Sequence, residues 1–152
     1  MDLQDQLKLT YLFIAHDLRL VRHISSRTAV MYLGRIVEMG NTADIFSNAQ
    51  HAYTRALLSA VPIADTSVKK KHIVLKGELP SPINPPPGCP FQTRCHRKIG
   101  EICETELPPV KELSPGHKIM CHLPDDELRA MEPVIALGEK EGAEAAEKMP
   151  TT

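Results

Sequence analysis

Residues 11–17 read YLFIAHD, an apolar run that ends in a histidine and an aspartate. Residues 10–15 are β-branched, aromatic or apolar without alternation, which is typical of a strand buried on both faces of a parallel sheet. Asp17 is suited to cap a following helix, because its carboxylate can accept a hydrogen bond from a free backbone N–H group. The stretch therefore predicts a strand-to-helix connection in an α/β domain. His16 would then lie at the carboxyl end of the strand, where open α/β sheets bind ligands. From the pattern alone, such a histidine is more often structural than functional.

Hydrophobic spacing and turn residues predict five further elements before residue 63. They are a helix over 18–24, a strand over 27–33, its hairpin partner over 36–39 after a turn at 34–35, a short helix from Thr42 to Phe46, and an amphipathic helix over 51–61. Gly40 is predicted to end the hairpin, and Pro62 to end the last helix. This order is that of the end of an α/β domain.

The chain changes character after residue 63. Residues 64–72 are predicted to be a polar linker, and residues 73–78 a short strand and turn. Residues 80–124 hold ten of the 13 prolines and all four cysteines. A segment so rich in proline is not expected to build a core of regular elements, so it would need a cross-link to be ordered. We predict three regions: 1–63, 64–124 and an acidic tail over 125–152.

The tail has one element of its own. Residues 125–132 are predicted to form one or two helical turns, with Leu128 and Met131 on one face. Beyond Pro133 the sequence is rich in Gly, Ala and Glu, and disorder is expected.

Composition excludes some functions and partners. The net charge is −1, and no basic stripe suggests a nucleic-acid surface. The acidic N-terminus does not resemble a secretory signal, and no apolar run approaches the ~20 residues of a membrane span. A cytosolic protein is expected, in which cysteines are more often metal ligands or free thiols than disulfides.

The cysteines form the second group of interest: Cys89, Cys95, Cys103 and Cys121. The short CxxC spacing of many zinc sites is absent, yet four thiolates suit either zinc or an iron–sulfur cluster. Four unligated thiols in a loop are the alternative. Three nearby histidines are further possible ligands: His96, His117 and His122. Four basic residues close in sequence are expected to favour thiolates: Arg94, Arg97, Lys98 and Lys118.

Several motifs together resemble one family. FIAHDL (13–18), VRHIS (21–25) and VMYLGRIVEMG (30–40) resemble the end of the nucleotide-binding domain of an ABC transporter. HAYTRALLSAVP (51–62), LKGELPSP (75–82) and PPGCPFQTRC (86–95) narrow this to the dipeptide and oligopeptide importer ATPases. The resemblance covers roughly residues 1–123. Ala52 and His96 stand where the family often has proline.

The resemblance implies a fold and a site. The fold would be α/β: a C-terminal fragment of a P-loop NTPase-like nucleotide-binding domain, followed by a small, loop-rich extension that carries the cysteines. His16 would be the catalytic switch histidine that contacts the γ-phosphate of ATP, with magnesium as the second cofactor. In some members the cysteine set is thought to hold a [4Fe-4S] cluster. A second ATPase subunit and membrane-spanning permease subunits would be the partners, at the cytoplasmic face of the cell membrane.

The sequence also departs from the family. It contains no GxxxxGK[ST] phosphate loop, no LSGGQ signature and no apolar strand that ends in Asp-Glu. The ATP site would therefore be incomplete, and this chain alone is not expected to be an active ATPase. The alternative function is a stand-alone iron–sulfur or zinc module with a structural or redox-regulatory role. An unpaired strand over 10–15 also predicts poor solubility.

Overall fold

The computed structural model describes residues 6–62 and 71–135. The helices are α1 (Leu18–Ile24), α2 (Thr42–Asn48), α3 (Ala52–Ala60), α4 (Ile102–Thr105) and α5 (Asp125–Arg129). The strands are β1 (Arg27–Tyr32), β2 (Arg35–Asn41), β3 (Val110–Ser114) and β4 (His117–Met120). The fold is thus mixed α/β, as predicted at that level. Within the described ranges, no helix has the length and apolar character needed to cross a membrane.

One antiparallel sheet joins the two halves of the chain, the part before residue 63 with β1 and β2 and the part after it with β3 and β4. Its strand order is β1-β2-β4-β3, and β2 pairs with β4 through Glu38 opposite Ile119 and Met39 opposite Lys118. The expectation that residues 80–124 would not build a core of regular elements is therefore wrong. The proline-rich segment gains its order from distant partners, because β4 obtains backbone hydrogen bonds from β2 and buries Ile119 and Met120. The boundary at residues 63–64 stays a prediction, although this sheet extends across it.

The β1–β2 hairpin confirms the first predicted antiparallel pair. Its two-residue turn is Leu33-Gly34, one residue earlier than expected, with φ of 45° and 76°. Positive φ at both positions matches the right-handed twist of the flanking strands. Strand β2 continues through Gly40 to Asn41, so the prediction that Gly40 ends the strand is wrong by one residue.

The predicted strand over 10–15 is wrong. These residues lie outside any helix or strand, and Leu12 and Ile14 are 92% and 99% exposed. An apolar run becomes a buried strand only beside other strands, and none of the described strands pairs with it. The helix that follows is confirmed as α1. The Asp17 carboxylate accepts hydrogen bonds from the backbone N–H groups of Arg19 (2.8 Å) and Leu20 (3.4 Å).

The next two helices are also confirmed. Helix α2 begins at Thr42, but the Thr42 hydroxyl bonds to the Thr28 hydroxyl (2.9 Å) instead of capping the helix. Helix α3 lies within the predicted 51–61 range and ends before Pro62. The strand predicted over 73–78 is wrong. Instead, the backbone N–H of Ile73 donates to the Ser59 hydroxyl of α3 (3.1 Å), so this segment is held by a side chain.

Apolar residues from both halves form the core. The central cluster contains Val30, Tyr32, Val37, Ile45, Ala52, Cys89, Phe91, Cys103 and Met120. A second cluster is built around α5 and contains Leu128 and Met131, which were predicted to share one helical face and are both buried. Val134 and Ile135 are buried against Phe46 and Leu58, so disorder beyond Pro133 is wrong for these two residues. The rest of the acidic tail, and most of the predicted linker, lie outside the described residues.

Candidate functional site

His16 lies at an exposed position immediately before α1. The side chain of Asp17 caps that helix, which confirms the predicted capping role of the aspartate. The strand that was expected to end at His16 is not formed. The roles of His16 in catalysis and in ATP binding stay predictions.

The four cysteines meet in one place. All are free thiols, with Cys89 and Cys103 buried and Cys95 and Cys121 partly buried. They line a single small cavity of about 20 Å³. The other lining residues are His51, Ala52, Phe91, Gln92, Arg97, Ile99, His122 and Leu123. The tertiary structure therefore brings together the complete cysteine set that the sequence singled out.

Close backbone packing positions two of these thiols. The N–H of Cys89 donates to the carbonyl of Cys103 in α4 (2.8 Å). Gly88 has a φ of 70°, and a Cβ at this position would lie 2.6 Å from the Cys103 carbonyl oxygen. Only glycine has both the conformational freedom and the space for this approach. Gly88 therefore sets the spacing of the Cys89 and Cys103 backbones.

Nearby backbone N–H groups lower the pKa values of three of the thiols. These groups belong to Phe91 for Cys89, to Arg97 for Cys95, and to Leu123 and His122 for Cys121. Such donors favour the thiolate, which is the form that binds metals.

Burial is nevertheless the stronger effect in this structure. Burial, with smaller contributions from the other three cysteines, raises the pKa of Cys89 to about 11. Burial also raises the pKa values of Cys95 and Cys121. Arg97 lowers the pKa of Cys95, but by less than burial raises it. Arg97 therefore acts on Cys95 in the predicted direction, but burial outweighs it, and the neutral form is favoured for these three thiols.

The cavity is not a preformed metal site. Among residues 6–62 and 71–135, no group of three or more His, Cys, Asp or Glu side chains is already placed to hold a metal ion. Thiols release their protons when they bind a metal cation. The positive charge of the cation then stabilises the buried thiolates. The donor chemistry therefore fits a metal, whereas the observed arrangement is that of neutral thiols.

The three candidate histidines have different surroundings. His122 lines the cavity, and its Nε2 lies 2.9 Å from the carbonyl oxygen of Glu106. His117 instead contacts Glu38 through Nε2 (2.9 Å). His96 is exposed, and its pKa is lowered by partial burial and by nearby cations. Only His122 of the three lines the cysteine cavity.

Sequence reasoning missed a buried polar group centred on Glu38. This carboxylate is 0% exposed and accepts hydrogen bonds from the backbone N–H groups of Gln50 (2.8 Å) and His51 (3.1 Å). With His117 as its third partner, it connects β2, β4 and the start of α3. An acid within the apolar run IVEM (36–39) was the available signal, because a charge in a buried strand needs partners.

His51 was also missed as a site residue. It precedes α3 as the N-cap, and its Nδ1 accepts a hydrogen bond from the Tyr53 backbone N–H (3.2 Å). Burial lowers its pKa to about 4, against a smaller opposing effect of Glu38. The imidazole is therefore neutral at physiological pH.

The comparisons with known proteins agree on a class. Residues 37–103 match the family described as oligopeptide/dipeptide transporter, C-terminal region. The chain is 52% identical over 124 residues to the oligopeptide transport ATP-binding protein AppF of Bacillus subtilis, which is 80% of this chain and 37% of that protein. It is also 52% identical over 121 residues to the dipeptide transport ATP-binding protein DppF of Haemophilus influenzae, again 80% of this chain and 37% of that protein.

These relatives are ATP-binding proteins of peptide transport. Residues 37–103 of this chain are similar to the C-terminal region of the oligopeptide/dipeptide transporter family, as the resemblance predicted. The chain spans a little over a third of the length of the curated relatives it matches.

Proposed function

We propose that the chain forms part of the ATP-binding subunit of an ABC importer for dipeptides or oligopeptides. The subunit would couple ATP binding and hydrolysis to peptide uptake. The observation that carries this proposal is the 52% identity, over 80% of the chain, to a protein named for oligopeptide transport and ATP binding. The chain would supply the C-terminal part of a P-loop NTPase-like domain, and its relatives' additional length leaves room for the phosphate loop.

His16 would act in that domain as the switch histidine. An imidazole N–H can donate to a phosphoryl oxygen on which negative charge develops during hydrolysis. The position supports this role, because the Asp17 cap fixes the start of α1 directly beside His16. ATP and magnesium would be held mainly by residues outside this sequence. A second ATPase subunit and the permease subunits would be the partners, at the cytoplasmic face of the membrane.

A chimera tests this proposal. The matching segment of the Bacillus subtilis protein is replaced by residues 1–124, and oligopeptide uptake is measured in cells that lack the original subunit. We expect uptake to be retained, and to be lost with His16→Ala. His23→Ala is the matched control, since His23 is an exposed histidine in the last turn of α1. A stable chimera that assembles but does not support uptake would contradict the proposal. Equal effects of the two substitutions would remove the role of His16.

We propose a second function for the cysteine cavity, the binding of a [4Fe-4S] cluster, with zinc as the alternative metal. Cys89, Cys95, Cys103 and Cys121 would be the ligands. Support comes from the convergence of the four thiols on one cavity and from the backbone N–H groups that lower the pKa values of three of them. A bound cluster would supply a cross-link between the loop and the sheet, and a one-electron redox centre. The stand-alone module is the version of this function that needs no ATP.

Metal content distinguishes a [4Fe-4S] cluster from zinc and from a cavity that binds no metal. The full chain is purified with and without oxygen, and its iron, sulfide and zinc are measured together with its visible spectrum. We expect iron and sulfide with a broad visible absorption in the anaerobic protein, and their loss in Cys103→Ala. His96→Ala is the control, because His96 is exposed. Colourless protein with stoichiometric zinc would select zinc, and absence of any metal would contradict both forms. Saturable binding of Mg-ATP by this chain alone would contradict the expectation of an incomplete site.

A further inference from the structure

We infer that His51 is a positioning residue of the cysteine cavity, whose Nε2–H donates a hydrogen bond to the sulfur ligands of the bound metal group. The inference rests on the proposed metal site. It concerns a residue that lies 38 positions before Cys89 in the sequence and belongs to the start of α3 rather than to the cysteine-bearing loop.

Three contacts determine the state and orientation of the imidazole. Its Nδ1 accepts a hydrogen bond from the Tyr53 N–H, so the single hydrogen of the neutral ring is on Nε2. The backbone N–H of His51 is held by Glu38 (3.1 Å), and the ring packs against that of Phe91 with centroids 5.6 Å apart. The imidazole is therefore held by hydrogen bonds at Nδ1 and at its own backbone, and by packing against the Phe91 ring.

The remaining nitrogen is the one available to the cavity. His51 is 3% exposed and lines the cavity with all four cysteines. Because Nδ1 accepts from the Tyr53 N–H of its own helix, Nε2–H is the donor that remains on the ring and would serve the sulfurs. Hydrogen bonds to cluster sulfurs stabilise the more negative, reduced state, and residues that hydrogen-bond to metal ligands strengthen metal binding.

Two substitutions separate this role from helix capping. His51→Asn keeps a capping oxygen near the position of Nδ1 but removes the donor at Nε2. His51→Gln places an amide N–H₂ near Nε2 but is a poor cap. In the full chain, reconstituted anaerobically with iron and sulfide, we expect a more negative midpoint potential for His51→Asn. The potential of His51→Gln should stay closer to wild type.

A purely structural role predicts the reverse order, because asparagine is the better cap. If zinc is the bound metal, the same order is expected in competition with a chelator, with about a 10-fold or greater loss of affinity for His51→Asn. Equal behaviour of His51→Asn and wild type would overturn the inference and leave the proposed metal site intact. Wild-type protein that binds no metal overturns both.

A metal-free measurement keeps the inference testable where the variants fold poorly. The ¹⁵N shifts of the His51 imidazole in the wild-type chain report which nitrogen carries the hydrogen. We expect the Nε2–H tautomer. The Nδ1–H tautomer would overturn the inference even for a protein that binds iron.

Discussion

His117 Nε2 lies 2.9 Å from Oε1 of Glu38, and both side chains are buried. The histidine belongs to β4 and the glutamate to β2, so the contact connects the two hairpins of the sheet. The same carboxylate accepts the backbone N–H groups of Gln50 and His51 at the start of α3. A buried charge is costly unless it is fully hydrogen-bonded, so these partners are required for the junction to be stable.

Glu38→Gln is expected to destabilise the chain. The amide keeps the shape of the side chain but replaces one accepting oxygen with a donor, which then faces a donor. We expect a loss of about 1–3 kcal/mol in the free energy of unfolding, measured with urea. Glu127→Gln is the control, because Glu127 is an exposed acid 3.9 Å from Arg97, and its loss should be within about 0.5 kcal/mol. Similar losses in the two variants would show that the Glu38 network is unimportant.

Gly88→Ala is expected to disturb the cysteine cavity. An added Cβ would lie 2.6 Å from backbone atoms of residues 103 and 104, in addition to the strain of a positive φ. Gly116→Ala isolates the strain, because Gly116 has a similar φ of 78° and open space around it. We expect the Gly116 variant to lose about 1–2 kcal/mol and the Gly88 variant to lose more, measured by thermal and urea unfolding. Equal losses would mean that the close approach of the two backbones is not needed.

The metal-free chain is expected to lose stability in mild acid through His51. Burial lowers the pKa of His51 from its usual 6.5 to about 4 in the folded state. Between these pH values the unfolded chain binds more protons than the folded chain. The contribution of neutral His51 to the free energy of unfolding is therefore fully present above about pH 6.5, and it is lost as the pH falls toward 4. The slope from this group is at most about 1.4 kcal/mol per pH unit. Urea unfolding at several pH values measures it. His51→Asn should flatten the slope and His23→Ala should not; a slope unchanged in His51→Asn would contradict the assignment.

The exposed apolar segment around residue 12 is expected to limit solubility. Leu12 and Ile14 are 92% and 99% exposed, so changing them to lysine removes apolar surface without disturbing the core. We expect the double variant to remain monomeric at higher concentration, as measured by light scattering, with the unfolding free energy changed by less than about 0.5 kcal/mol. Val30→Lys, at a buried position of β1, should instead unfold the chain. Aggregation unchanged by the double substitution would place its cause elsewhere.

Much of the fold could be predicted where the signals are local. Helix α1 follows from the Asp17 cap, the first hairpin from Gly34 between two strand-forming runs, and α3 from its apolar spacing and Pro62. The prediction of a strand over 10–15 was wrong because strand formation depends on distant partners. The composition of this segment is that of a buried strand, but a strand is stable only when other strands pair with it.

The candidate site was predicted in part. The four cysteines stood out by type and clustering, but nothing in their spacing showed that they would share a cavity with His51. Glu38 and His117 are separated by 79 positions, and no local pattern pairs them.

The sequence by itself determined the relationship to peptide-transport ATP-binding proteins, the cysteine set and the helices and turns that short-range contacts stabilise. Only the tertiary structure decided that β4 joins β2, that Glu38 bonds the two hairpins and the start of α3, and that burial keeps Cys89 protonated. Sheet pairing, hydrogen bonding and desolvation depend on which distant residues become neighbours, and that is settled when the chain packs.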